Sequence, residues 1–364
     1  MKILILGFTK MKFMPYINFY LSNIDTEKND VHVVYWNRDL LSEDLSKYSD
    51  LTLHEFAYYQ EDDVAKATKI KSFMKYRNFA KNVMSKTKFD KIIVLHTLPG
   101  VVLFDKLKKY KDNYILDYRD STYEYFEPFK KIVGKLVEWS KVTFVSSDAF
   151  RKYLPDSQKN KIYTIHNILN DSLQHTEDKE KYGINSDKIR IAFWGFIRHE
   201  EINKQIISSV AKDSRFELHY YGREQQVAIN LKAFVNELNA ENVFFHGEYK
   251  PEERYEFVKN TDCIHNLYYD NNTLLAMGNK YYDGIIFRIP QVCMPGSFMG
   301  KMCDEYNVGV SLDPYSATFL NELYDYISNI NKARFYEDCK KELDRVLDEQ
   351  NVAVSILKTL FPYK

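Results

Sequence analysis

The sequence has little glycine, proline and cysteine for its length, and these shortages exclude several classes of protein. Its 364 residues include 12 glycines and 9 prolines, too few for a disordered or low-complexity chain. There is no C-x-x-C pair and no dense cysteine spacing, so the sequence indicates neither a disulfide framework nor a zinc site. Reduced, buried thiols are expected at the four positions Cys263, Cys293, Cys303 and Cys339.

The chain also lacks an excess of either charge and any long apolar run. Lys and Arg total 51, as do Asp and Glu, so bulk charge does not make the whole molecule a polyanion binder. Residues 1–170 nevertheless carry a net charge of +7 and the remainder −7, which predicts that an anionic partner binds the N-terminal half. The apolar run Ile3–Phe8 is too short for a signal-peptide core, and no stretch approaches the roughly 20 residues of a membrane span. A cytoplasmic protein is expected.

Hydrophobic and aromatic residues, at 45% and 15%, are ample for packed cores, and the length predicts two domains. Short β-branched and aromatic runs alternate with amphipathic stretches, a pattern typical of parallel strands joined by crossover helices. The pattern occurs twice, which predicts two doubly wound α/β layers. The predicted strands of the first layer are Lys2–Leu6, Val31–Trp36, Lys91–Leu95, Tyr114–Tyr118, Val142–Ser146 and Ile162–His166. Those of the second are Ile189–Trp194, Phe216–Tyr221, Val243–His246, Cys263–Leu267, Pro290–Cys293 and Gly309–Leu312.

A polar run between the two layers predicts the domain boundary. Residues 174–181 have no periodic apolar positions and indicate a linker. We predict a first domain at 1–170, a linker at 171–184, a second domain at 185–350, and a final helix at 351–364 that crosses back to the first. Ligands of open α/β sheets bind at the carboxyl ends of the strands, so a cleft between the domains is the expected site.

Common cofactor and nucleophile motifs are missing. The sequence has no G-x-x-x-x-G-K-S/T phosphate loop, no G-x-G-x-x-G dinucleotide turn, no G-x-S-x-G elbow and no H-E-x-x-H pair. These absences make the common cofactor enzymes a poor match.

The segment from 274 to 293 is the most informative. Gly278 and Asn279 end a predicted loop, and Asn279 is a suitable N-cap for a following helix. The helix start would present backbone N–H groups to a diphosphate. Lys280 would add a cation, and Asp283 could accept hydrogen bonds from ribose hydroxyls. The same residues also fit an ordinary capped helix with a solvated Lys and Asp.

The sequence NKYYDG at 279–284, followed by IPQV at 289–292, resembles the retaining glycosyltransferases of two-Rossmann (GT-B) architecture, particularly those that build bacterial capsule and exopolysaccharide. The resemblance implies two Rossmann-like domains facing a central cleft, with the acceptor on the first and the nucleotide-sugar donor on the second. It places Asp283 on the second acid of the family's E-x7-E motif, which holds the donor ribose. The first acid falls on Leu275, where this chain departs from the motif.

Further residues carry the resemblance in the second domain. The sequence IAFWGFIR at 191–198 resembles the strand and glycine turn that open the donor domain. This implies that Gly195 lies near the donor and that Arg198 contacts its phosphates, with Lys204 as a later candidate for the second cation. Fixed cations would stabilise the charge that develops on the leaving diphosphate. A surface charge at a strand end is the alternative for Arg198.

In the first domain, three segments resemble family elements. The acceptor-side loop is Gly7, Phe8, Thr9 and Lys10, without the usual paired glycines. His96 ends a strand, and the sequence DYRD at 117–120 resembles a later strand whose His-Asp end contacts the transferred sugar. Arg119 stands at the position of that His and cannot act as a base at neutral pH, so its implied role is electrostatic. Asp117 and Asp120 are the carboxylates to test, or else caps of a helix starting near Ser121.

A basic segment raises the question of membrane contact. Residues 64–86 contain seven cations and no acid, interleaved with Phe73, Tyr76 and Phe79. An apolar side made of Ala67, Ile70, Phe73, Met74, Ala80 and Met84 would suit an interfacial helix, but Arg77 falls among these residues. Peripheral contact of residues 64–91 with anionic lipid and a solvated crossover helix are both open, and nucleic-acid binding is not expected because no recognisable motif accompanies the cations.

These observations predict a glycosyltransferase that moves a sugar from a nucleotide-diphosphate donor, a UDP-sugar being favoured, to a saccharide acceptor, lipid-linked, in surface polysaccharide synthesis. No cofactor is expected, since the nucleotide sugar is a co-substrate, and no metal, since a strict D-x-D pair is absent. The site residues are His96, Arg119 and Asp120 for catalysis and Gly195, Arg198, Lys204, Gly278, Asn279, Lys280 and Asp283 for the donor. An epimerase of the same architecture and a non-catalytic donor-binding subunit are the alternatives.

Overall fold

The computed structural model describes residues 1–61, 65–169, 171–175 and 188–362, which form two compact α/β units. Unit 1 comprises Met1–His166 and Asp348–Lys364, and unit 2 comprises Asn167–Leu347. Most of the predicted linker, residues 176–184, lies outside the described residues. Its first part, residues 171–175, is described and belongs to unit 2.

Unit 1 is built on a parallel sheet of seven strands in the order β3-β2-β1-β4-β5-β6-β7. The strands are β1 (Lys2–Leu6), β2 (Asp30–Asn37), β3 (Thr52–Ala57), β4 (Lys91–Leu95), β5 (Tyr114–Tyr118), β6 (Val142–Val145) and β7 (Ile162–Thr164). The helices are α1 (Ile17–Leu21), α2 (Lys66–Lys86), α3 (Thr97–Val102), α4 (Phe104–Leu107) and α5 (Glu127–Trp139). The order reverses beside β1, so the loops after β1 and β4 meet at the carboxyl edge where such sheets bind ligands.

Unit 2 repeats the plan with a parallel sheet of six strands in the order β10-β9-β8-β11-β12-β13. The strands are β8 (Ile189–Trp194), β9 (Phe216–Tyr221), β10 (Val243–Phe245), β11 (Cys263–Asn266), β12 (Gln291–Cys293) and β13 (Gly309–Ser311). The helices are α6 (Glu200–Val210), α7 (Gln226–Glu237), α8 (Arg254–Val258), α9 (Asn279–Phe287), α10 (Phe298–Tyr306), α11 (Phe319–Ser328) and α12 (Lys332–Leu360). The order reverses beside β8, which places the loops after β8 and β11 at the corresponding edge.

The final helix belongs to both units. The first part of α12 packs Phe335, Cys339 and Val346 into the core of unit 2. Its last part packs Ala353 and Leu357 into the core of unit 1. The final helix predicted at 351–364 corresponds to the last part of α12, which begins at Lys332 and ends at Leu360.

All twelve predicted strands are present, and one further strand was missed. The missed strand is β3, which pairs with β2 at the edge of the sheet and has one buried residue, Phe56. The four cysteines are free and buried, as predicted. In the described ranges, every helix is too short or too polar to cross a bilayer.

Candidate functional site

The start of α9 lies at the carboxyl edge of unit 2. The N-cap is Gly278, with an extended backbone at ψ 156°, and Asn279 is the first helical residue. The prediction that Asn279 is the N-cap is therefore wrong, because a residue already in the first turn cannot place its side chain over the helix end. The N–H of Tyr281 donates to Gly278 O at 3.0 Å, so the backbone N–H groups of Asn279 and Lys280 are the ones that have no partner within the helix and are suited to an anion.

Lys280 is the cation of this helix start, and it is held by neutral and aromatic groups. Its Nζ donates to the carbonyl oxygen of Trp194 at 3.2 Å and lies 4.2 Å from the ring centre of Phe193 and 5.0 Å from that of Tyr268. Burial, together with the charge of Arg198, lowers the pKa of Lys280 to about 7, although the charge of Asp283 opposes the shift. Within the described residues no carboxylate contacts the ammonium, so an arriving diphosphate would supply a counter-charge in direct contact.

Of the other predicted donor residues, Gly195 and Arg198 lie near Lys280, and Lys204 does not contact it. Gly195 has φ +117°, and a Cβ added there would lie 4.0 Å from Nζ of Lys280. Arg198 is exposed in the same loop, and its charge acts on Lys280. Lys204 instead lies one turn into α6 and pairs with Glu200 at 2.6 Å. The structure thus gathers Gly195, Arg198 and Lys280, while Lys204 is held by an ion pair of its own helix.

Asp283 is more buried than its predicted role requires. Its side chain is 2% exposed and accepts hydrogen bonds from Nε1 of Trp194 at 2.9 Å and from Oγ of Ser172 at 3.3 Å. NH1 of Arg254 lies 3.9 Å from the carboxylate. Burial raises the pKa of Asp283, and Arg254 is the main group that opposes this. The carboxylate is thus fixed by protein donors, which a solvated surface Asp would not be.

Leu275 stands where the resembling family has its first acid, and the loop before α9 contains one acid, Asp270. Oδ1 of Asp270 accepts from the backbone N–H groups of Asn272 and Thr273, both at 2.8 Å. Its other oxygen lies 3.3 Å from Nε2 of His199. Asp270 therefore organises the loop, and the half-buried Leu275 adds no charge to it.

A buried histidine beneath this edge makes stability depend on pH. His265 is 1% exposed; its Nδ1 accepts from the N–H of Leu267 at 3.1 Å, and its Nε2 lies 3.1 Å from Oδ1 of Asn203. Because Oδ1 of Asn203 is an acceptor, Nε2 carries the proton of a neutral imidazole. Burial lowers the pKa of His265 to about 3, whereas the unfolded chain titrates near 6.5.

We therefore expect acid to destabilise unit 2 through His265. Below pH 6.5 the unfolded chain binds a proton that the folded chain does not take up until about pH 3, so stability falls as pH falls. Between pH 7.5 and 5 the loss from this group is about 2 kcal/mol. Urea unfolding at both pH values should show a smaller loss for His265→Gln than for the wild type. Equal losses in the two proteins would contradict the assignment.

At the carboxyl edge of unit 1, the loop after β1 is tightly packed. Gly7 N donates to Val34 O at 2.8 Å, and the Tyr76 hydroxyl donates to Gly7 O at 2.7 Å. Phe8 is buried against Trp36, Phe73 and Tyr76. Lys10 is 2% exposed and forms an ion pair with Asp39, while Thr9 is half-buried. The loop is thus fixed to β2 and α2 by hydrogen bonds and aromatic packing.

His96 and Asp120 meet at the ends of β4 and β5. Nδ1 of His96 accepts from the N–H of Leu98 at 3.4 Å, and Nε2 lies 3.9 Å from Oδ2 of Asp120. Burial lowers the pKa of His96, although Asp120 and Glu124 oppose the shift. A neutral imidazole that carries its proton on Nε2, beside a half-exposed carboxylate, can exchange a proton or a hydrogen bond with a substrate hydroxyl.

Arg119 and Asp117 form a buried pair beneath them. Nε of Arg119 donates to Oδ2 of Asp117 at 3.0 Å, and the guanidinium lies 4.3 Å from the ring centre of Tyr16. Burial raises the pKa of Asp117, and Arg119 is the main group that opposes this. The alternative that these acids cap a helix near Ser121 is wrong, because residues 121–126 form turns and α5 begins at Glu127.

Two residues at this edge were not selected from the sequence. Glu124 is 3% exposed, accepts from the N–H of Thr122, and its charge acts on His96. Arg38 donates to Phe8 O at 3.0 Å and lies 4.4 Å from the ring centre of Trp36. Glu124 could have been selected from the sequence because it lies four residues after Asp120. It belongs to the turns at residues 121–126, where the sequence had allowed a helix to start near Ser121. Among the described residues, no group of three or more His, Cys, Asp or Glu could hold a metal ion.

In the basic helix α2, the predicted apolar side is not a single exposed or buried side. Ala67, Ile70 and Met74 are exposed, whereas Ala80 is buried. Arg77 turns away from the exposed side, since its NH1 donates to Val102 O at 2.7 Å and to Asp105 at 2.9 Å. The exposed side of α2 therefore has apolar residues flanked by Lys71 and Lys75, without Arg77 among them.

Solved structures share this architecture. Sucrose-phosphate synthase from Thermosynechococcus elongatus aligns with 99% of this chain and 99% of its own at 10% identity, with a TM-score of 0.73. A glycosyltransferase from Rickettsia africae aligns over 100% of both chains at 11% identity, with a TM-score of 0.66. HepE from Anabaena, solved with UDP and glucose, aligns over 98% and 99% at 12% identity, with a TM-score of 0.67. The chain has the GT-B fold.

The GT-B fold predicted from the sequence is thus confirmed over nearly the whole chain. No family model matches the sequence, and no curated protein matches it. At 10% to 12% identity the likeness is one of fold, so the chemistry must be argued from the residues of the two edges.

Proposed function

We propose that this GT-B protein is a glycosyltransferase that moves a sugar from a nucleotide-diphosphate donor to a saccharide acceptor. The observation that carries the proposal is the start of α9, where Lys280 lies beside the first N–H groups of the helix and within reach of the charge of Arg198. No carboxylate in the part of the chain that the structure describes contacts the ammonium of Lys280. This arrangement matches a diphosphate in both charge and hydrogen bonding. HepE, which shares the fold, was solved with UDP, with UDP and glucose, and with UDP-glucose, which favours a UDP-sugar.

In the proposed mechanism, unit 2 binds the donor and unit 1 presents the acceptor. The N–H groups at the start of α9, with Lys280 and Arg198, stabilise the negative charge that grows on the leaving diphosphate. The acceptor oxygen bonds to the anomeric carbon as the bond from that carbon to the diphosphate breaks, and the carboxylate of Asp120 takes the proton of the acceptor hydroxyl. The Nε2–H of His96 orients the transferred sugar by donating a hydrogen bond to it. The chain's own cations thus supply the neutralisation that a metal would otherwise give. We also propose that the transfer retains the anomeric configuration and that the acceptor is lipid-linked. The reaction would then belong to capsule or exopolysaccharide synthesis.

Calorimetry followed by product analysis tests this function. UDP is expected to bind the full-length protein, with GDP, CDP and CMP measured alongside, and a failure of all four would overturn the proposal. With a bacterial membrane extract and labelled UDP-sugar, label is expected in the lipid-extractable fraction. A changed sugar on the free nucleotide would instead indicate an epimerase, and binding without any product would indicate a donor-binding subunit.

Variants of His96 and Asp120 should separate transfer from donor binding. His96→Ala and Asp120→Asn are each expected to lower the transfer rate by about 100-fold or more, the scale of lost acid-base assistance. UDP affinity should stay within about two-fold of the wild type, because the proposed donor residues lie in unit 2. The exposed Asp156→Asn is the matched control in unit 1. Unchanged transfer in both site variants would contradict their role.

We also propose that the exposed side of α2 lies against anionic lipid. Ile70 and Met74 are 62% and 51% exposed, and Lys71 and Lys75 flank them on the same side. No acidic residue occurs between Lys66 and Lys86, so the side is complementary to a negatively charged surface. An anionic bilayer fits this side because its apolar side chains can enter the lipid while the neighbouring lysines contact the headgroups.

Vesicle sedimentation tests the lipid contact. The wild type is expected to bind vesicles of phosphatidylcholine with phosphatidylglycerol and to bind pure phosphatidylcholine weakly. The double variant with Ile70→Asp and Met74→Asp should bind the anionic vesicles about 10-fold less, because two apolar contacts are lost. Ile229→Asp, at an equally exposed residue of α7, is the control. Equal binding by the double variant and the control would show that α2 is simply solvated.

A further inference from the structure

A buried arginine lies behind the proposed donor site and was not selected from the sequence. Arg254 begins α8 and is 4% exposed. NH2 donates to Oγ of Ser172 at 2.7 Å and to the Tyr255 hydroxyl at 3.1 Å, and NH1 lies 3.9 Å from Asp283. A buried guanidinium loses hydration, so its position depends on these partners.

The partners form a continuous path from the surface of unit 2 to the start of α9. The half-exposed Asp171 accepts from the Tyr255 hydroxyl at 2.7 Å and lies 3.6 Å from Arg254. Ser172 donates to Asp283 at 3.3 Å. Asp171 and Ser172 therefore bind side chains of α8 and α9 in unit 2.

Asp283 is also connected to Lys280, through Trp194. Oδ2 of Asp283 accepts from Nε1 of Trp194 at 2.9 Å, and the carbonyl oxygen of Trp194 accepts from Nζ of Lys280 at 3.2 Å. The orientation of one residue, Trp194, therefore connects the buried acid to the ammonium. An acid buried without Arg254 would favour the neutral form and bind Trp194 less firmly.

We propose that Arg254 is a positioning residue of the donor site, which keeps Asp283 ionised and oriented so that Trp194 holds Lys280 in place for the diphosphate. The inference rests on the proposed function, since it assigns Arg254 a role in donor binding. Arg254 acts through Asp283 and does not itself contact the donor.

Calorimetry with UDP on the full-length protein tests this role. Arg254→Gln is expected to reduce UDP affinity by about 10-fold, and Arg254→Lys to restore it to within about three-fold of the wild type. Since Arg254 acts through Asp283, Arg254→Gln should have little further effect in an Asp283→Asn background. A purely structural role would give independent losses in the two variants. Circular dichroism and thermal unfolding establish that each compared variant is folded.

Milder variants keep the test decisive if Arg254→Gln does not fold. At the exposed end of the path, Tyr255→Phe removes a hydrogen bond and Asp171→Asn removes a charge, and each should lower UDP affinity by about two- to three-fold. Wild-type affinity in both, or in folded Arg254→Gln, would overturn the positioning role while leaving the proposed function intact. Failure of the wild type to bind any of UDP, GDP, CDP and CMP would overturn the positioning role and the proposed function together.

Discussion

Replacing Lys280 with methionine is expected to reduce UDP affinity by about 30- to 300-fold, or roughly 2 to 3.5 kcal/mol, as for a lost charge-assisted contact in a partly buried site. The ammonium is held by the carbonyl of Trp194 and by two aromatic rings, none of which neutralises it. Methionine keeps the apolar stem against Phe193, so the fold should be retained. Calorimetry gives the affinity, and wild-type binding by Lys280→Met would contradict the site.

The same residue predicts how UDP affinity changes with pH. Burial, assisted by Arg198, lowers the pKa of Lys280 to about 7, so half of the ammonium is lost near neutral pH in the free protein. The protonated form binds the diphosphate, and UDP affinity should therefore fall as pH rises from 7 to 9. The terminal phosphate of UDP is already ionised over this range, since its pKa is about 6. Lys280→Arg should bind UDP with little change over the same interval, because guanidinium does not deprotonate there. A flat profile in the wild type would show that Lys280 is not the titrating group.

The fold was predictable because its strands are buried on both faces. β4 has the sequence KIIVL, with four of its five residues buried, and such a run is typical of the interior of a parallel sheet. β3 was missed because it is an edge strand whose sequence, TLHEFA, mixes polar and apolar residues, and its His54 and Glu55 carry no strand signal of their own. Its place in the sheet depends on pairing with β2.

The site was predictable where local sequence determines geometry and not where distant residues meet. Gly278 and Lys280 follow from a loop that ends in a helix. Arg254 was not predicted, since its partner Ser172 is 82 residues away in the chain and no local pattern connects them. Asp283 was expected either to accept hydrogen bonds from a ribose or to be solvated, but it is buried against Trp194 and Ser172, which are also far from it in the sequence.

Replacing Gly222 with alanine is expected to disrupt the donor edge and to lower the free energy of unfolding by about 3 kcal/mol or more, as for severe overpacking against the backbone. A Cβ at Gly222 would lie 1.8 Å from the carbonyl oxygen of Gly195 and 2.9 Å from its carbon. Both atoms belong to the main chain, so no side-chain rotation relieves the clash. Gly195 is itself fixed by φ +117° and by a hydrogen bond from its N–H to Tyr221 O at 2.9 Å.

The displacement should reach the donor because Gly195 precedes Arg198 in the same loop and lies beside Lys280. We therefore expect Gly222→Ala to lose UDP binding together with thermal stability, measured by calorimetry and by thermal unfolding. Gly134→Ala is the matched control: it lies in α5, a Cβ there meets nothing within 4 Å, and alanine should stabilise the helix by about 0.5 to 1 kcal/mol. If Gly222→Ala unfolds at the wild-type temperature and binds UDP normally, the turns after β8 and β9 do not pack as described, and the support for Lys280 must come from elsewhere in unit 2.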